Sequence, residues 1–145
     1  MEQLLQFITH HWVLCSLLVI IILLIIFEEL RGRGVRGVQS TSPQQAVQLI
    51  NRQNALVIDV RSPEAFSGGH IATATNVPAE KWSNADFMIS ENDRNRSIIV
   101  VCQAGQTSLA IAAKLHKQGF QHVHSLTGGI TNWKQNTLPL VKGAK

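Results

Sequence analysis

Sixteen consecutive residues, Trp12 to Phe27, carry no charge, and only Cys15 and Ser16 among them are even mildly polar. An ordinary surface helix is excluded, because such a stretch offers water no polar face. A core helix is excluded as well, since side chains that are apolar in every direction would have to be wrapped by the rest of a 145-residue chain. Extended back to Leu4, with Gln6, Thr9, His10 and His11 as interruptions, the stretch reaches 24 residues. A helix crossing the hydrocarbon core needs about 20. The sequence therefore predicts a transmembrane anchor over residues 1–30, with Trp12 and the two histidines near one interface. A cleaved secretory signal fits less well. No Lys or Arg precedes the run, and Glu28-Glu29-Leu30-Arg31 stands where a small-residue cleavage site would be needed. Arg31, Arg33 and Arg36 follow the span and no basic residue precedes it, so the positive-inside rule predicts an outside N-terminus and a cytoplasmic C-terminal domain. In a bacterium the membrane would be the inner one.

Residues 31–40 read as a Gly/Arg-rich linker. They include part of Gly32-Arg33-Gly34-Val35-Arg36-Gly37, formally a G-x-G-x-x-G. A nucleotide site needs that motif between a strand and a helix, and neither is expected here. Residues 41–139 read as one folded domain, and 140–145 as a C-terminal tail. Thr41 or Ser42 caps a helix with Pro43 in its first turn and Ala46, Val47, Leu49 and Ile50 on its apolar face. Ala55 to Val60 reads as a buried strand ending near Asp59, Ser62 to Phe66 as a one-turn helix, Asn76-Val77-Pro78 as a very short strand, and Ala79 to Asp86 as a helix. Ser97 to Val101 is the central strand, Gln106 to Gln118 a helix, Val123 to Leu126 a last strand, and Gly128-Gly129 opens a final helix through Trp133. Strands alternating with helices predict an α/β domain with a mainly parallel sheet.

Cys102 closes the central strand and opens Cys102-Gln103-Ala104-Gly105-Gln106-Thr107-Ser108, with a helix following at once. In open parallel sheets ligands sit beyond the carboxyl ends of strands. Gly105 lets the loop curl with its amides inward. Those amides and the helix dipole favour a thiolate, a persulfide or a bound oxyanion. The predicted chemistry is two displacements: Cys102 takes sulfur from a small donor, and a thiol or other nucleophile removes it. No metal or organic cofactor is needed. Cys15 and Cys102 are the only cysteines, and no internal disulfide is expected.

The residues Ile58-Asp59-Val60-Arg61, Glu64, Phe66, Gly69-His70-Ile71, Asn76-Val77-Pro78, the Cys102 loop, and Leu126-Thr127-Gly128-Gly129-Ile130 with Trp133 resemble a single-domain rhodanese. The match runs from about Ser40 to Pro139. The resemblance implies a five-stranded, mainly parallel sheet flanked by helices, with Cys102 as the sulfur-carrying nucleophile. It also implies that loop amides from Gln103 through Thr107 line the pocket, with Gln103, Ala104, Gly105, Gln106, Thr107 and Ser108 forming the substrate-binding loop. Many members have Arg before the Ser that starts the helix; here Thr107 precedes Ser108. Thr107 is expected to hydrogen-bond a persulfide or thiosulfate oxygen. With neutral Gln103 and Ala104 and no cation, thiosulfate-type activity is expected to be weak. The related phosphatase chemistry is excluded, because it needs Arg at the position of Ser108, and no Arg occurs from Cys102 to Gln118.

Other groups receive plainer readings. Asp59 and Arg61 pair structurally at a strand end, with Arg61 lending positive potential to the pocket. Glu64 supports its helix, His70 makes a structural hydrogen bond, and Trp133 packs in the core. His122 and His124 lie on the surface, since two histidines alone are a poor zinc site. The net charge of +4 is scattered, which excludes nucleic acid as a partner. The expected partners are the bilayer, a small sulfur donor, a thiol acceptor and membrane proteins. Two competing roles remain at this stage: a tethered rhodanese-fold interaction module that assists membrane proteins with little turnover, and a thiol redox sensor. The sensor lacks a second loop cysteine to resolve a sulfenic acid.

Overall fold

The computed structural model describes residues 10–32, 37–82 and 89–143. Leu4, Gln6 and Thr9 of the expected span, Arg33 and Arg36 of the linker, residues 83–86 of the expected fourth helix and the end of the tail lie outside them. The chain divides into two compact units, Met1–Arg33 and Gly34–Lys145.

In the first unit, α1 (Trp12–Gly32) is 21 residues long. Every large apolar side chain from Trp12 to Phe27 is exposed, Trp12 at 69% and Phe27 at 56%. Among the described residues no helix is long and apolar enough to cross a membrane. The stretch of α1 whose side chains are described ends at Phe27, short of the about 20 residues a span requires.

The second unit is built on a five-stranded, wholly parallel sheet: β1 (Val38–Thr41), β2 (Leu56–Asp59), β3 (Ala74–Asn76), β4 (Ile98–Val101) and β5 (Val123–Leu126). The spatial order is β1-β5-β4-β2-β3. Around it lie α2 (Pro43–Gln53), α3 (Pro63–Ser67), α4 (Gln106–Lys117) and α5 (Gly129–Gln135). Local chemistry sets the helix starts. Ser42 accepts from Gln45 N–H while the Gln45 side chain accepts from Ser42 N–H, and Pro43 fits the first turn. Ser62 and Pro63 start α3 in a similar way, without the reciprocal bond.

β4 explains the core. All four of its residues are buried, as a central parallel strand requires. Ile98 and Val100 face one layer with Ile58, Ile111, Leu115 and Val123. Ile99 and Val101 face the other with Val57, Leu126, Ile130 and Trp133. Cys102 continues the first alternation and enters the layer that holds α4 residues Ile111 and Leu115.

Four expectations change. Residues 38–40, read as linker, form most of β1, which pairs Val38 with Val123 and Thr41 with Leu126. Val-Gln-Ser-Thr has a single apolar residue and sits at the sheet edge, so it gives no apolar run in sequence. The short strand is Ala74–Asn76, ending before Pro78, which has no N–H to give a ladder. The segment after it begins as a 3-10 turn, Ala79–Trp82. Residue 141 is no loose tail: Val141 and His70 exchange backbone hydrogen bonds at 2.9 Å each way.

His124 is the remaining correction. The side chain is buried beneath α2, not on the surface, with Nδ1 2.9 Å from Thr41 Oγ1. Loss of hydration, and secondarily nearby His122, lower its pKa below the ordinary histidine value. The unfolded chain therefore binds a proton here more readily than the folded one. Stability from this group is present above about pH 6.5 and is lost as pH falls through the lowered folded value. The full chain should lose stability on acidification from pH 7, measured by denaturant midpoint, and His124→Gln should flatten that dependence relative to the parent.

Candidate active site

Cys102 stands immediately after β4, where the chain leaves the sheet and turns into α4. The turn is shaped from outside. The carbonyls of Cys102 and Gln103 accept hydrogen bonds from the N–H groups of Ile130 (2.9 Å) and Thr131 (3.2 Å) in the first turn of α5. Thr131 Oγ1 adds a third bond to Gln103 O at 3.0 Å and receives Gln103 Nε2 at 3.2 Å. With those carbonyls held by α5, the Ala104–Gly105 peptide that follows turns its N–H toward the sulfur. Gly105 N–H donates to Cys102 Sγ at 2.9 Å.

Two glycines make this approach possible. Gly105 has φ +97°, and a Cβ there would sit 3.0 Å from Gly128 N. Gly129 has φ +57°, and a Cβ there would lie 2.2 Å from Cys102 O. A side chain at either position costs about 1–3 kcal/mol in backbone strain alone, and at Gly129 the clash with backbone comes on top. Gly128-Gly129 is thus more than a helix start: it brings α5 against the cysteine loop.

The sulfur itself is nearly enclosed, with Cys102 5% exposed. It packs in an apolar layer but keeps two polar contacts. Besides Gly105 N–H, Ser108 Oγ lies 3.3 Å from Sγ. Ser108 Oγ is also 3.0 Å from Gly105 O and 2.9 Å from Ser125 Oγ on β5. The three groups form a chain of exchangeable hydrogens. While Cys102 is a thiol, its S–H points to Ser108 Oγ, whose own hydrogen is free for Gly105 O or Ser125. A thiolate or persulfide needs the Ser108 hydrogen turned to sulfur, and Ser125 can then donate to Ser108. α4 has Gly105 at its N-cap with no side-chain hydrogen bond, so no side chain competes for the first amides of that helix.

Around the buried sulfur the rim is exposed and neutral: Gln103, Ala104, Gln106 and Thr107 face solvent and Gly105 is half-buried. The hydroxyl in contact with the Cys102 sulfur is that of Ser108. Asp59 and Arg61 pair as expected. The Arg61 guanidinium donates to the Asp59 carboxylate at 2.7–3.1 Å and to Gly69 O at 2.8 Å. Its remaining arm reaches Gln103 Oε1 at 3.4 Å, so Arg61 meets the loop at the residue after Cys102. His70 Nδ1 bonds Phe66 O at 2.8 Å and its ring stacks on Phe66, the structural role read from sequence. Trp133 is buried, with Nε1 donating to Pro139 O. Glu64 is exposed; a bond to backbone N–H and the Ser62 hydroxyl lower its pKa. Among the described residues no three His, Cys, Asp or Glu side chains gather as a metal site would require.

Sequence reasoning found the cysteine loop but missed Ser125, Thr131 and the purpose of Gly129. Ser125 occupies the inward-facing side of a strand, and its link to Ser108 arises only when β5 and α4 pack. The geometry predicts that Ser108→Ala, which removes the sulfur's only side-chain hydrogen-bond partner among the described residues, slows alkylation of Cys102 by iodoacetamide several-fold. Ser125→Ala should slow it less, with the rate measured by intact mass against time.

Comparison with known proteins gives a consistent set of likenesses. Residues 42–136 match the family described as Rhodanese-like domain. Thiosulfate sulfurtransferase GlpE of Pseudomonas putida strain KT2440 is 40% identical over 92 residues, 63% of this chain and 81% of that protein. The protein named YibN of Escherichia coli K12 is 32% identical over 148 residues, 99% of both chains. The crystal structure of a rhodanese-related protein from Thermoplasma volcanium superposes with a TM-score of 0.63 at 25% identity, covering 71% of this chain and 97% of that one.

Proposed function

The chain belongs to the rhodanese-like domain family, and from that premise we propose that it is a sulfurtransferase that carries sulfane sulfur as a persulfide on Cys102. The observation that carries this reading is the sulfur of Cys102 under the Gly105 N–H and the Ser108 hydroxyl at the carboxyl end of the central strand. The 40% identity to a thiosulfate sulfurtransferase over the same domain supports the reaction class.

The reaction runs in two displacements. Cys102 thiolate attacks the outer sulfur of a donor. With thiosulfate, the S–S bond of the donor breaks, sulfite leaves with the bonding electron pair, and Cys102 keeps the sulfur as an anionic persulfide. An acceptor thiolate then attacks that outer sulfur, takes it as its own persulfide and returns Cys102 to thiolate. Nothing is oxidised or reduced beyond the sulfur exchanged. The Gly105 N–H and the Ser108 hydroxyl stabilise anionic sulfur in both resting forms, and in a nearly enclosed site each such bond is worth more than in water.

The neutral rim shapes donor choice. Arg61 is committed to Asp59 and Gly69, and the loop has no cation of its own to attract a dianion. Thiosulfate turnover is therefore weak, and a thiol-bound persulfide with little charge is the better donor.

We also propose that residues 1–30 anchor the enzyme in a membrane, with the rhodanese domain on the cytoplasmic side. A helix apolar on every face finds no stable place in water. The large apolar side chains from Trp12 to Phe27 are all exposed, and the sequence continues apolar back toward Leu4. Arg31, Arg33 and Arg36 support the orientation. The likeness to YibN, which runs over 99% of both chains, extends through this segment. Anchoring would confine the domain to acceptors near the membrane surface, including thiols of membrane proteins.

Intact mass after thiosulfate treatment tests the persulfide. Gain of one sulfur atom, lost in Cys102→Ser, is expected; an unmodified parent protein contradicts the reading and leaves a non-catalytic role. Alkaline carbonate extraction of membranes tests the anchor: the full chain should stay in the pellet and a chain lacking residues 1–37 should be released.

A further inference from the structure

Cys102 enters the layer of the sheet that holds α4, whereas α2 covers the opposite face. Beneath α2, near the β1 edge, lies a cavity of about 350 Å³. This is within the size range of sites for small molecules. Its lining includes Ser40, Gln45, Gln48, Arg52, Gln53 and His124 and contains no carboxylate.

His124 is the informative member. It is 7% exposed, and its Nδ1 is held 2.9 Å from Thr41 Oγ1. The Thr41 hydroxyl is itself buried and has no other side-chain partner among the described residues. When the hydroxyl donates to Nδ1, the ring hydrogen lies on Nε2. Nε2 has no protein partner among the described residues and is open to the cavity that His124 lines. The burial that keeps this ring neutral near pH 7 is consistent with that tautomer.

At the cavity rim the Arg52 guanidinium is exposed and makes no ion pair with a described residue. Gln45 and Gln53 spend their side-chain oxygens on Ser42 N–H and the Ser97 hydroxyl, which leaves their NH₂ groups as donors. Donors thus outnumber acceptors, one full positive charge is present, and no negative charge opposes it. The complement of such a lining is an oxygen-rich anion, gripped by Arg52 and Nε2–H and surrounded by amides.

We propose that this cavity is a second ligand site, separate from Cys102, that binds a small polar molecule through an oxyanion. The volume exceeds that of a bare anion, so the ligand carries a polar remainder against the glutamines. Phosphate and carboxylate share the required chemistry, and the probes separate them.

The test follows the imidazole signals of His124, His122 and His70 by NMR in the full chain in detergent, titrated with inorganic phosphate and, separately, with succinate. A saturable shift of His124 with one of the two, at up to about 10 mM, is expected. The same titration of Arg52→Ala, an exposed change that should leave the fold intact, should weaken it at least tenfold, while alkylation of Cys102 stays at the parent rate. The proposal fails if neither probe moves His124 saturably, if all three histidines move together, or if Arg52→Ala binds as the parent does.

Discussion

The hydrogen bonds from the first turn of α5 to the carbonyls of Cys102 and Gln103 are the constraint on which the site rests. A cysteine at the end of a buried strand would by itself be a small apolar side chain in a core. Its peptide neighbours could as easily turn their carbonyls inward, which would repel an anionic sulfur. Holding two carbonyls outward against Ile130 and Thr131 leaves the next N–H to face the sulfur. The sheet supplies the position, and α5 supplies the polarity.

The same arrangement explains why the site needs so little. Cys102 has apolar packing on one side and a peptide N–H and hydroxyl on the other, so negative sulfur is met by fixed dipoles with no formal positive charge. Arg61 is spent on Asp59 and Gly69 and serves the loop through Gln103. The absence of a free cation on the loop supports the proposal that sulfur arrives on a thiol. A membrane tether, as proposed here, would restrict which thiols can meet it.

Much of this was legible in the sequence because it is local. The strand Ile98–Val101, the loop ending at Ser108 and the glycine that curls it are contiguous, and their order alone puts Cys102 at a strand end. The pairing of Asp59 with Arg61, two residues apart, was also within reach. What stayed hidden depends on residues far apart in the chain. Ser125 meets Ser108 across 17 positions, and Thr41 meets His124 across 83. β1 was missed because an edge strand of polar residues leaves no apolar run, and with it went the burial of His124. Gly129 was visible as a helix start, but its approach to Cys102 O could not be read from spacing. Ser108 was legible as a loop residue, but its contact with the sulfur depends on helical phase at an uncapped N-terminus, which sequence does not fix.

The central claim is that contact between α5 and the cysteine loop, not the cysteine alone, makes the sulfur reactive. Gly129→Ala addresses it most directly, since the added Cβ would fall 2.2 Å from Cys102 O and must push the two apart. Iodoacetamide alkylation of Cys102 should be followed together with amide hydrogen exchange of β4. The account predicts alkylation slowed at least tenfold while the β4 amides remain protected. Parent-rate alkylation in a chain that keeps that protection would contradict it.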